Sequence, residues 1–273
     1  MQIGASDSGQ MKILLPSELW KMIEVINMKT NSLRGVGLTA LLALGVGLFS
    51  QGAFAAENEA GFKSLFNGKN LIGWDGRPQH WSVENGAIMG RTTKEHPAKG
   101  NNFLIWTNGT VGDFELRCSY RITPNNDKGF ANSGIQYRSK DFGNFVVGGY
   151  QADMEAGKTY SGILYEERMR GILAERGQKV VIKEADGKTV KEVVGSLGNS
   201  DEIQAAIKQD GWNDYVVIAK GNHLQHFING KQTVDVVDEQ ESKAAKSGIL
   251  ALQLHAGEPM TVQFKGIRLK ELK

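Results

Sequence analysis

The chain has 273 residues, a formal net charge of +2, 34 glycines, 5 prolines and a single cysteine. The near-neutral charge and the lack of any block of like charges argue against nucleic acid as a partner. A single cysteine excludes an intrachain disulfide, so the hydrophobic core must hold the fold together. That residue, Cys118, lies in the alternating segment FELRCSY and is itself predicted to be a core residue.

The N-terminal part of the chain has the pattern of an export signal. Lys29 and Arg34 precede an apolar run at residues 38–49, and Ala53-Phe54-Ala55 follows it. A positive region, a short apolar region and an A-x-A site are typical of a secretory signal peptide. We therefore predict a signal peptide over residues 28–55 and a periplasmic or secreted protein with no membrane span after processing. An uncleaved anchor is the alternative, although the run is short and glycine-rich for a transmembrane helix.

Met28 stands directly before this signal, and nothing belongs ahead of its positive region. We therefore predict that translation starts at Met28 and that residues 1–27 are an extension of the gene model. No cysteine stands directly after the apolar run, which argues against a lipoprotein. Residues 60–273 contain no evident linker and are predicted to form one domain.

Short strands separated by glycine turns make up this domain. Residues 61–90 are short apolar pieces divided by NG, GW and DG pairs, which favour turns. Residues 113–122 alternate strictly between apolar and polar, and residues 212–237 predict further strands with an NG hairpin. The one predicted helix covers residues 198–210, with Ser200 as its candidate cap. Many strands with almost no helix predict an all-β sandwich or barrel of two antiparallel sheets.

The stretch Gly149–Glu155 (GYQADME) predicts one apolar and one polar strand face. Side chains alternate along a strand, so the polar face receives Gln151, Asp153 and Glu155. In the strand before it, Gln136 and Arg138 share a side; in the strand after it, Leu164 and Glu166 share one. Amides, carboxylates and an arginine on one face favour a site that holds a polar ligand, with a plain solvated face as the alternative.

The penultimate strand, LALQLHAG, alternates in the same way. If its leucines face the core, Gln253 and His255 join the polar face. A lone histidine is as often structural as functional, and His226 is a weaker candidate than His255. The remaining histidines are predicted to lie at the surface: His80, His96 and His223.

The sequence offers little support for a metal, a cofactor or a covalent nucleophile. It contains no Cys/His cluster, no HExxH motif, no Gly-rich phosphate loop and no GxSxG motif. We therefore predict no cofactor and no catalytic metal. Asp and Glu together with backbone carbonyls could hold a structural calcium ion on a sandwich, but no Asp-rich loop indicates one.

The strand Gln151-Ala152-Asp153-Met154-Glu155 resembles the E-x-D-x-E strand of laminarinase-like glycoside hydrolases, which are jelly rolls with their carboxylates on a concave sheet. Same-face residues lie about 6.5–7 Å apart along a strand, and side-chain reach can bring them to the roughly 5–5.5 Å of a retaining pair. However, Gln151 occupies the position of the nucleophile. An amide cannot attack an anomeric carbon as a carboxylate does, so ordinary double displacement is not expected.

A closer resemblance covers nearly the whole predicted domain. The blocks FKSLFNGKNLIGW, DFELRCSYRI, NSGIQYR, GYQADME, YSGILYEE, GWNDYVVIAKGNHLQHFINGK and SGILALQLHAGEPMTVQFKGIRLKEL follow in the order found in the 3-keto-disaccharide hydrolase domain family. This resemblance implies a concanavalin-like jelly roll in an exported bacterial protein, which would contain the one short helix predicted above. It also implies cleavage of 3-keto-glycosides or 3-keto-disaccharides, by elimination or hydrolysis, with a small oxidised saccharide as the partner.

The implied chemistry assigns roles to the polar residues. A ketone at C3 acidifies the C2 proton, so a base, an electrophile and an acid can break the glycosidic bond without a nucleophile. Glu166, Asp153 and His255 are the candidates for base and acid. Arg138 and Gln151 are candidates for oxyanion and hydroxyl binding, although an Arg138–Asp153 surface ion pair is the structural alternative. The other candidate substrate-binding residues are Glu155, Gln253, Tyr165, Tyr160 and Trp106, of which the aromatic ones stack on sugar rings or simply pack.

Two further functions stay open at this point. A carbohydrate-binding module needs amides and aromatic residues but no set of carboxylates and histidine. An interaction domain of the cell envelope needs an exposed apolar patch instead. The crowding of ionisable groups on one predicted face favours the enzyme.

Overall fold

The computed structural model describes residues 59–273; the predicted signal peptide and the predicted extension at residues 1–27 lie outside the described residues. Glycine and asparagine turns divide this part of the chain into short segments, as the sequence predicts. The strands are β1 (Lys63–Ser64), β2 (Trp74–Asp75), β3 (Trp81–Glu84), β4 (Ala87–Thr92), β5 (Asn102–Trp106), β6 (Phe114–Pro124), β7 (Asn132–Asp141), β8 (Val147–Glu155), β9 (Leu164–Glu167), β10 (Gly171–Ala174), β11 (Gln178–Ala185), β12 (Lys188–Ser196), β13 (Asn213–Lys220), β14 (His223–Ile228), β15 (Lys231–Asp238), β16 (Ile249–Leu254) and β17 (Met260–Glu271).

These strands form two sheets of a jelly-roll sandwich. The ten-stranded sheet has the order β12-β11-β15-β14-β13-β6-β17-β4-β3, with β1 paired to β17. The seven-stranded sheet has the order β10-β9-β8-β7-β16-β5-β2. Neighbours pair antiparallel except β11 and β15, which run parallel. The all-β prediction is therefore confirmed, with one parallel pair that the sequence pattern does not indicate.

The hydrophobic core lies between the two sheets. Strand β6 illustrates this arrangement: its alternate side chains from Phe114 to Tyr120 are buried, and those between them are half-exposed. Cys118 is one of these buried residues and is a free thiol, as predicted. Trp74 and Trp81 are also buried, and each indole N–H is hydrogen-bonded: the first to Leu65 O at 2.8 Å, the second to Asn102 Oδ1 at 2.9 Å. Burying these aromatic rings stabilises the fold without leaving their N–H donors unsatisfied.

The single helix of the described residues, α1, spans Ser200–Ala205 and is shorter than the sequence predicts. Its N-cap is Asn199 rather than Ser200. The Asn199 side-chain oxygen accepts hydrogen bonds from the backbone N–H groups of Asp201 and Glu202 at 2.8 and 3.2 Å. Asn and Ser are nearly equal as caps, so the sequence alone does not distinguish them. Within residues 59–273, no helix has the length and apolar character needed to cross a bilayer.

Candidate functional site

The seven-stranded sheet carries a group of polar side chains on its outer surface, which we call the polar face. Gln136 lies opposite Gln151 and Gly134 lies opposite Asp153 across β7 and β8, while Tyr165 on β9 lies opposite Gln151. Residues opposite each other in a sheet point to the same side. The intervening residues of β8 belong to the core, so this set points away from it. The predicted faces of β8 are therefore confirmed.

Gln151 lies at the centre of the polar face. Its Oε1 accepts hydrogen bonds from the side-chain amides of Gln136 at 2.5 Å and Gln253 at 2.9 Å, and its Nε2 donates to Asp153 Oδ2 at 3.0 Å. The side chain has room because the neighbouring residue is Gly134. A Cβ atom on Gly134 would stand 2.5 Å from Cδ of Gln151. Gln151 is thus a fixed connector between other side chains, and the absence of a side chain at position 134 is a steric requirement.

Asp153 is a buried carboxyl group held by amides. Only 5% of the residue is exposed, and its oxygens accept from Asn132 Nδ2 at 2.9 Å and Gln151 Nε2 at 3.0 Å. Burial raises the pKa of Asp153 from 3.8 to about 8, and these hydrogen bonds oppose that rise only in part. Asp153 therefore keeps its proton at neutral pH and can act as an acid.

Glu167 is the second carboxylate of the polar face. It lies opposite Gly149 on the same side of the sheet as Gln151, and its Oε2 accepts from Gln253 at 3.3 Å and Asn101 at 3.2 Å. Partial burial raises its pKa, while the Asn101 hydrogen bond and the charges of His255 and Arg168 oppose the rise. Glu167 is therefore a partly exposed carboxylate with a raised pKa, suited to accept a proton.

His255 and Gln253 lie at the same end of the polar face. His255 follows β16, packs against the Phe130 ring with centroids 5.3 Å apart, and its Nδ1 lies 2.6 Å from Ala256 O. Gln253 is 1% exposed, and its Oε1 has no hydrogen-bond partner among residues 59–273. A buried acceptor without a partner is costly, so a donor that reaches this oxygen is stabilised there. Gln253 and Asp153 are joined through Gln151 in one hydrogen-bonded group, whereas His255 contacts Phe130 at the edge of this group.

Glu166 does not lie on the polar face, and its predicted place there is wrong. It lies opposite Tyr150, a core residue, and is 1% exposed. Its carboxylate pairs with Arg170 (Nε–Oε2 2.5 Å), which also pairs with Asp238 at 2.7 Å. Leu164, on the same side of β9, is a core residue too. Glu166 is therefore part of an interior ion-pair network.

Arg138 is also misplaced by the simple alternation of β7. The pairing with β8 shifts register between Tyr137 and Lys140, and Arg138 itself has φ of 46°. Its guanidinium group turns away and donates to Gly112 O at 2.8 Å and to Asp113 Oδ1 at 2.8 Å. A bulge redirects every following side chain, which explains the error. Arg138 contacts no substrate-facing group, and its alternative pair with Asp153 does not form either.

Three other predicted substrate contacts have different positions. Trp106 packs against the core from the interior side of β5, so of its two predicted roles it takes the packing one and not the stacking one. Glu155 lies at the end of β8, where its Oε1 accepts from the backbone N–H groups of Thr159 and Tyr160 and so fixes the loop after β8. Tyr160 is 42% exposed on that loop, at the border of the site.

Two histidines predicted from the sequence are buried elsewhere. His226 is fully buried, and its Nε2 lies 2.9 Å from the Tyr137 hydroxyl. Burial lowers the pKa of His226 from 6.5 to about 3, so it is a neutral core residue. His80, predicted at the surface, is also buried and its Nδ1 lies 3.2 Å from Arg91 O.

Glu167 is a site residue that the sequence prediction misses, although β9 contains a signal for it. Leu164 and Glu166 share a side of β9, and the rule that places leucines of β16 in the core places Leu164 there as well. Glu166 then faces the core, and Glu167 faces outward with Tyr165. The supporting amides Asn132 and Gln136 follow from the same alternation on β7. Asn101 has no such signal, because it precedes β5 in a loop.

The arrangement combines a protonated acid, a carboxylate and an imidazole on one sheet face. Successive hydrogen bonds lead from Asp153 through Gln151 and Gln253 to Glu167, over 3.0, 2.9 and 3.3 Å. Such a pair can donate a proton at one point of a ligand and remove one at another. Among residues 59–273, no three His, Cys, Asp or Glu side chains are grouped as metal ligands.

Comparison with known proteins agrees with the fold. The model of the 3-keto-alpha-glucoside-1,2-lyase-like domain matches residues 61–270, which confirms the resemblance inferred from the sequence blocks. No curated protein sequence matches the chain.

Solved structures of similar shape include a candidate glycosyl hydrolase from Parabacteroides distasonis ATCC 8503. It is 17% identical, with a TM-score of 0.51 over 77% of this chain and 99% of that one. The carbohydrate-binding module CBM66 from Bacillus subtilis is 14% identical, with a TM-score of 0.48 over 74% of this chain and 98% of that one. At these identities the likeness concerns the fold alone.

Proposed function

The chain belongs to the 3-keto-alpha-glucoside-1,2-lyase-like family, and from that premise we propose that it cleaves the glycosidic bond of 3-keto-glycosides at the polar face. The observation that carries the proposal is the pair of carboxyl groups with different environments. Asp153 is buried and protonated at neutral pH, whereas Glu167 is partly exposed and accepts hydrogen bonds from Asn101 and Gln253. Two acidic groups held in different protonation states are the arrangement that acid–base catalysis requires.

Glu167 acts as the base in this proposal. Its carboxylate removes the proton from C2, and the electron pair of that bond forms the enolate of the C3 ketone. The ketone makes this proton acidic, so a carboxylate of moderately raised pKa is a sufficient base. His255 lies beside Glu167, where it receives the proton from Glu167 and passes it to solvent.

Asp153 acts as the acid. When the enolate reforms the ketone, a C1–C2 double bond forms, the C1–O bond breaks, and the departing oxygen takes the Asp153 proton. The products are the free aglycone and an unsaturated 2-hydroxy-3-keto sugar. Addition of water across the new double bond then restores a hydrogen at C2 and a hydroxyl at C1, which amounts to hydrolysis. No step needs a nucleophile at Gln151.

The amides and Tyr165 position the substrate. The unpartnered Oε1 of Gln253 accepts a sugar hydroxyl, and the hydroxyl of Tyr165 donates to the ligand from the neighbouring strand. Partial burial and the charge of Glu167 raise the pKa of Tyr165, so it keeps its proton. Gln136 and Asn132 contact only protein groups and hold Gln151 and Asp153 in place.

A carbohydrate-binding module is the second candidate function. It is favoured by the three glutamines of the polar face and by the low exposure of Asp153, since a binding module needs amides but no accessible acid. Incubation with a 3-keto-glucoside beside the unoxidised glucoside separates the two functions. The enzyme releases the aglycone only from the ketone, whereas a binding module binds a saccharide and releases nothing from either.

A further inference from the structure

The polar groups of the site are enclosed, although they lie on the outer side of the seven-stranded sheet. Gln136, Gln151 and Gln253 are each at most 1% exposed, and Asp153 is 5% exposed. The outer side of an antiparallel sheet is commonly in contact with solvent. Another part of the chain must therefore cover these side chains.

Hydrogen bonds between distant strands show how this cover arises. One row of paired residues joins Tyr165 on β9 to Ile105 on β5, across four strand spacings. Glu167 lies two residues to one side of this row, and Asn101 lies four residues to the other side. In a flat sheet these two residues would be roughly 28 Å apart, yet their side chains are hydrogen-bonded at 3.2 Å. The sheet is therefore so strongly curved that its two halves meet over the polar face.

The tip of the β7–β8 hairpin, residues 140–148, completes this cover. Val147 points to the same side of β8 as Gln151 and is fully buried in one apolar group with Phe103 and Ala251. In the register of the sheet, Ala251 lies two strands and four residues from Val147, which is roughly 16 Å in a flat sheet. The tip therefore folds back over the outer side of β16.

A latch at the opposite edge of the sheet holds this tip. Arg77, in the turn after β2, donates to Asn144 O at 3.2 Å and to Asn144 Oδ1 at 2.7 Å. Its guanidinium carbon also lies 5.5 Å from the centroid of the Phe145 ring. Asn144 and Phe145 have φ of 54° and 58°, and a bulky residue adopts that conformation only at a cost in free energy. The tip is thus kept in a strained form by contacts with a distant part of the chain.

Both strands of the hairpin have irregular backbone where the tip begins. Arg138 has φ of 46° at the register shift of β7, and Gly149 has φ of 141° on β8. Gly149 packs so closely on β7 that a Cβ atom there would stand 2.7 Å from Cα of Ser139. The Arg138 guanidinium group anchors this part of the hairpin to the rest of the domain through Gly112 O and Asp113 Oδ1. Such a pair of irregular residues beside an anchor is suited to act as a hinge.

We propose that residues 140–148 form a flap, which opens at this hinge to admit the saccharide and closes over it during the reaction. Only the identity of the ligand rests on the proposed function. Opening breaks the latch and separates Val147 from Phe103 and Ala251, which uncovers the outer side of β16 and the glutamines beside it. Closure excludes water from the acid and the base, and this strengthens the electrostatic interactions on which proton transfer depends.

Thiol reactivity of Val147→Cys tests the flap without any turnover. Cys118 is the only other cysteine and is buried in the core, so it reports global unfolding in the same protein. We expect the thiol at position 147 to react with DTNB at least about tenfold faster than Cys118. Adding Arg77→Met removes the latch and should raise that rate at least about fivefold, whereas Arg91→Met, on the outer side of the ten-stranded sheet, should leave it unchanged. Equal rates for the two thiols, or no effect of Arg77→Met, would overturn the inference.

Locking the flap tests its role in the reaction. Arg77→Cys combined with Asn144→Cys provides two thiols that a reducible bifunctional thiol reagent joins across the latch. We expect the cross-linked protein to release the aglycone of a 3-keto-glucoside at least about 10²-fold more slowly than the same protein before cross-linking, with recovery after reduction. Unchanged activity of the cross-linked protein would overturn the inference. Absence of cleavage by wild type refutes the proposed function instead, and the thiol rates then decide the flap alone.

Discussion

Replacement of Asp153 by asparagine tests the electrostatics of the polar face directly. The change keeps the shape of the side chain and removes its ionisable group. The change destabilises the fold only locally. In the wild type Gln151 Nε2 donates to Asp153 at 3.0 Å, and in the variant it faces the N–H₂ group of the new amide. At acidic pH, where Asp153 is protonated in both the folded and unfolded states, we expect Asp153→Asn to lose about 1 kcal/mol for that hydrogen bond.

The stability difference between Asp153→Asn and wild type changes sign as the pH rises. The folded-state pKa of Asp153, about 8, lies above its unfolded value of 3.8, so the folded protein holds a proton that the unfolded chain has released. The wild type is therefore penalised increasingly between about pH 4 and pH 8, and the variant is not. At about 1.4 kcal/mol for each tenfold change in proton affinity, the penalty reaches at most about 6 kcal/mol. We expect Asp153→Asn to be more stable than wild type by about 2–5 kcal/mol at pH 9.

Urea unfolding of both proteins at a series of pH values from 4 to 9 measures this difference. All other ionisable groups are common to the two proteins and cancel in the comparison. A difference that is constant with pH would show that the Asp153 carboxyl group is not perturbed. A wild type that gains stability relative to the variant as the pH rises would show that the pKa of Asp153 is lowered by folding, and would refute the raised value. The same variant loses the acid, which lowers kcat by about 10²–10⁴-fold.

Three other substitutions test the surroundings of the site. Gly134→Ala places a methyl group against Gln151 and should lower kcat/KM at least tenfold in steady-state assays, whereas Gly100→Ala, whose Cβ meets nothing within 4 Å, should not; equal rates would contradict this steric role. Arg170→Met leaves two interior carboxylates unpaired and should cost about 3–5 kcal/mol in urea unfolding, and a loss below 1 kcal/mol would show that the pair is not needed. His226→Phe should make the free energy of unfolding fall less steeply as the pH drops from 6.5 towards 3. The reason is that the pKa of His226 is lowered by folding, so in the wild type the unfolded chain takes up a proton first; an unchanged pH dependence in urea unfolding would refute this.

The sequence predicts the sandwich and most of one strand face because both depend on a period of two. Strand β8 alternates over all of Gly149–Glu155, so the positions of Gln151 and Asp153 follow from its apolar partners. The same rule gives the correct side for Gln253 on β16. Local composition also identifies the turns, where glycine and asparagine adopt positive φ.

Errors arise where the period is interrupted or the strand is short. Arg138 lies in a bulge, where one additional residue redirects the side chain, and nothing in QYRSK indicates it. Trp106 ends the strand NFLIW, whose last four residues are all apolar and provide no alternation to distinguish its faces. Contacts between distant segments, such as that of Asn101 with Glu167, depend on tertiary structure and have no local signal.

Deuterium incorporation at C2 tests the central claim most directly, namely that Glu167 on the polar face removes the C2 proton of a 3-keto-glycoside. The reaction is run in D₂O with wild type, Glu167→Gln and Glu166→Gln, beside an enzyme-free control for spontaneous enolisation. We predict that wild type and Glu166→Gln release the aglycone and yield either the unsaturated sugar or 3-keto-glucose with deuterium at C2, and that Glu167→Gln is slower by at least about 10²-fold. Cleavage by wild type with hydrogen retained at C2, or loss of activity in Glu166→Gln but not in Glu167→Gln, would contradict the account.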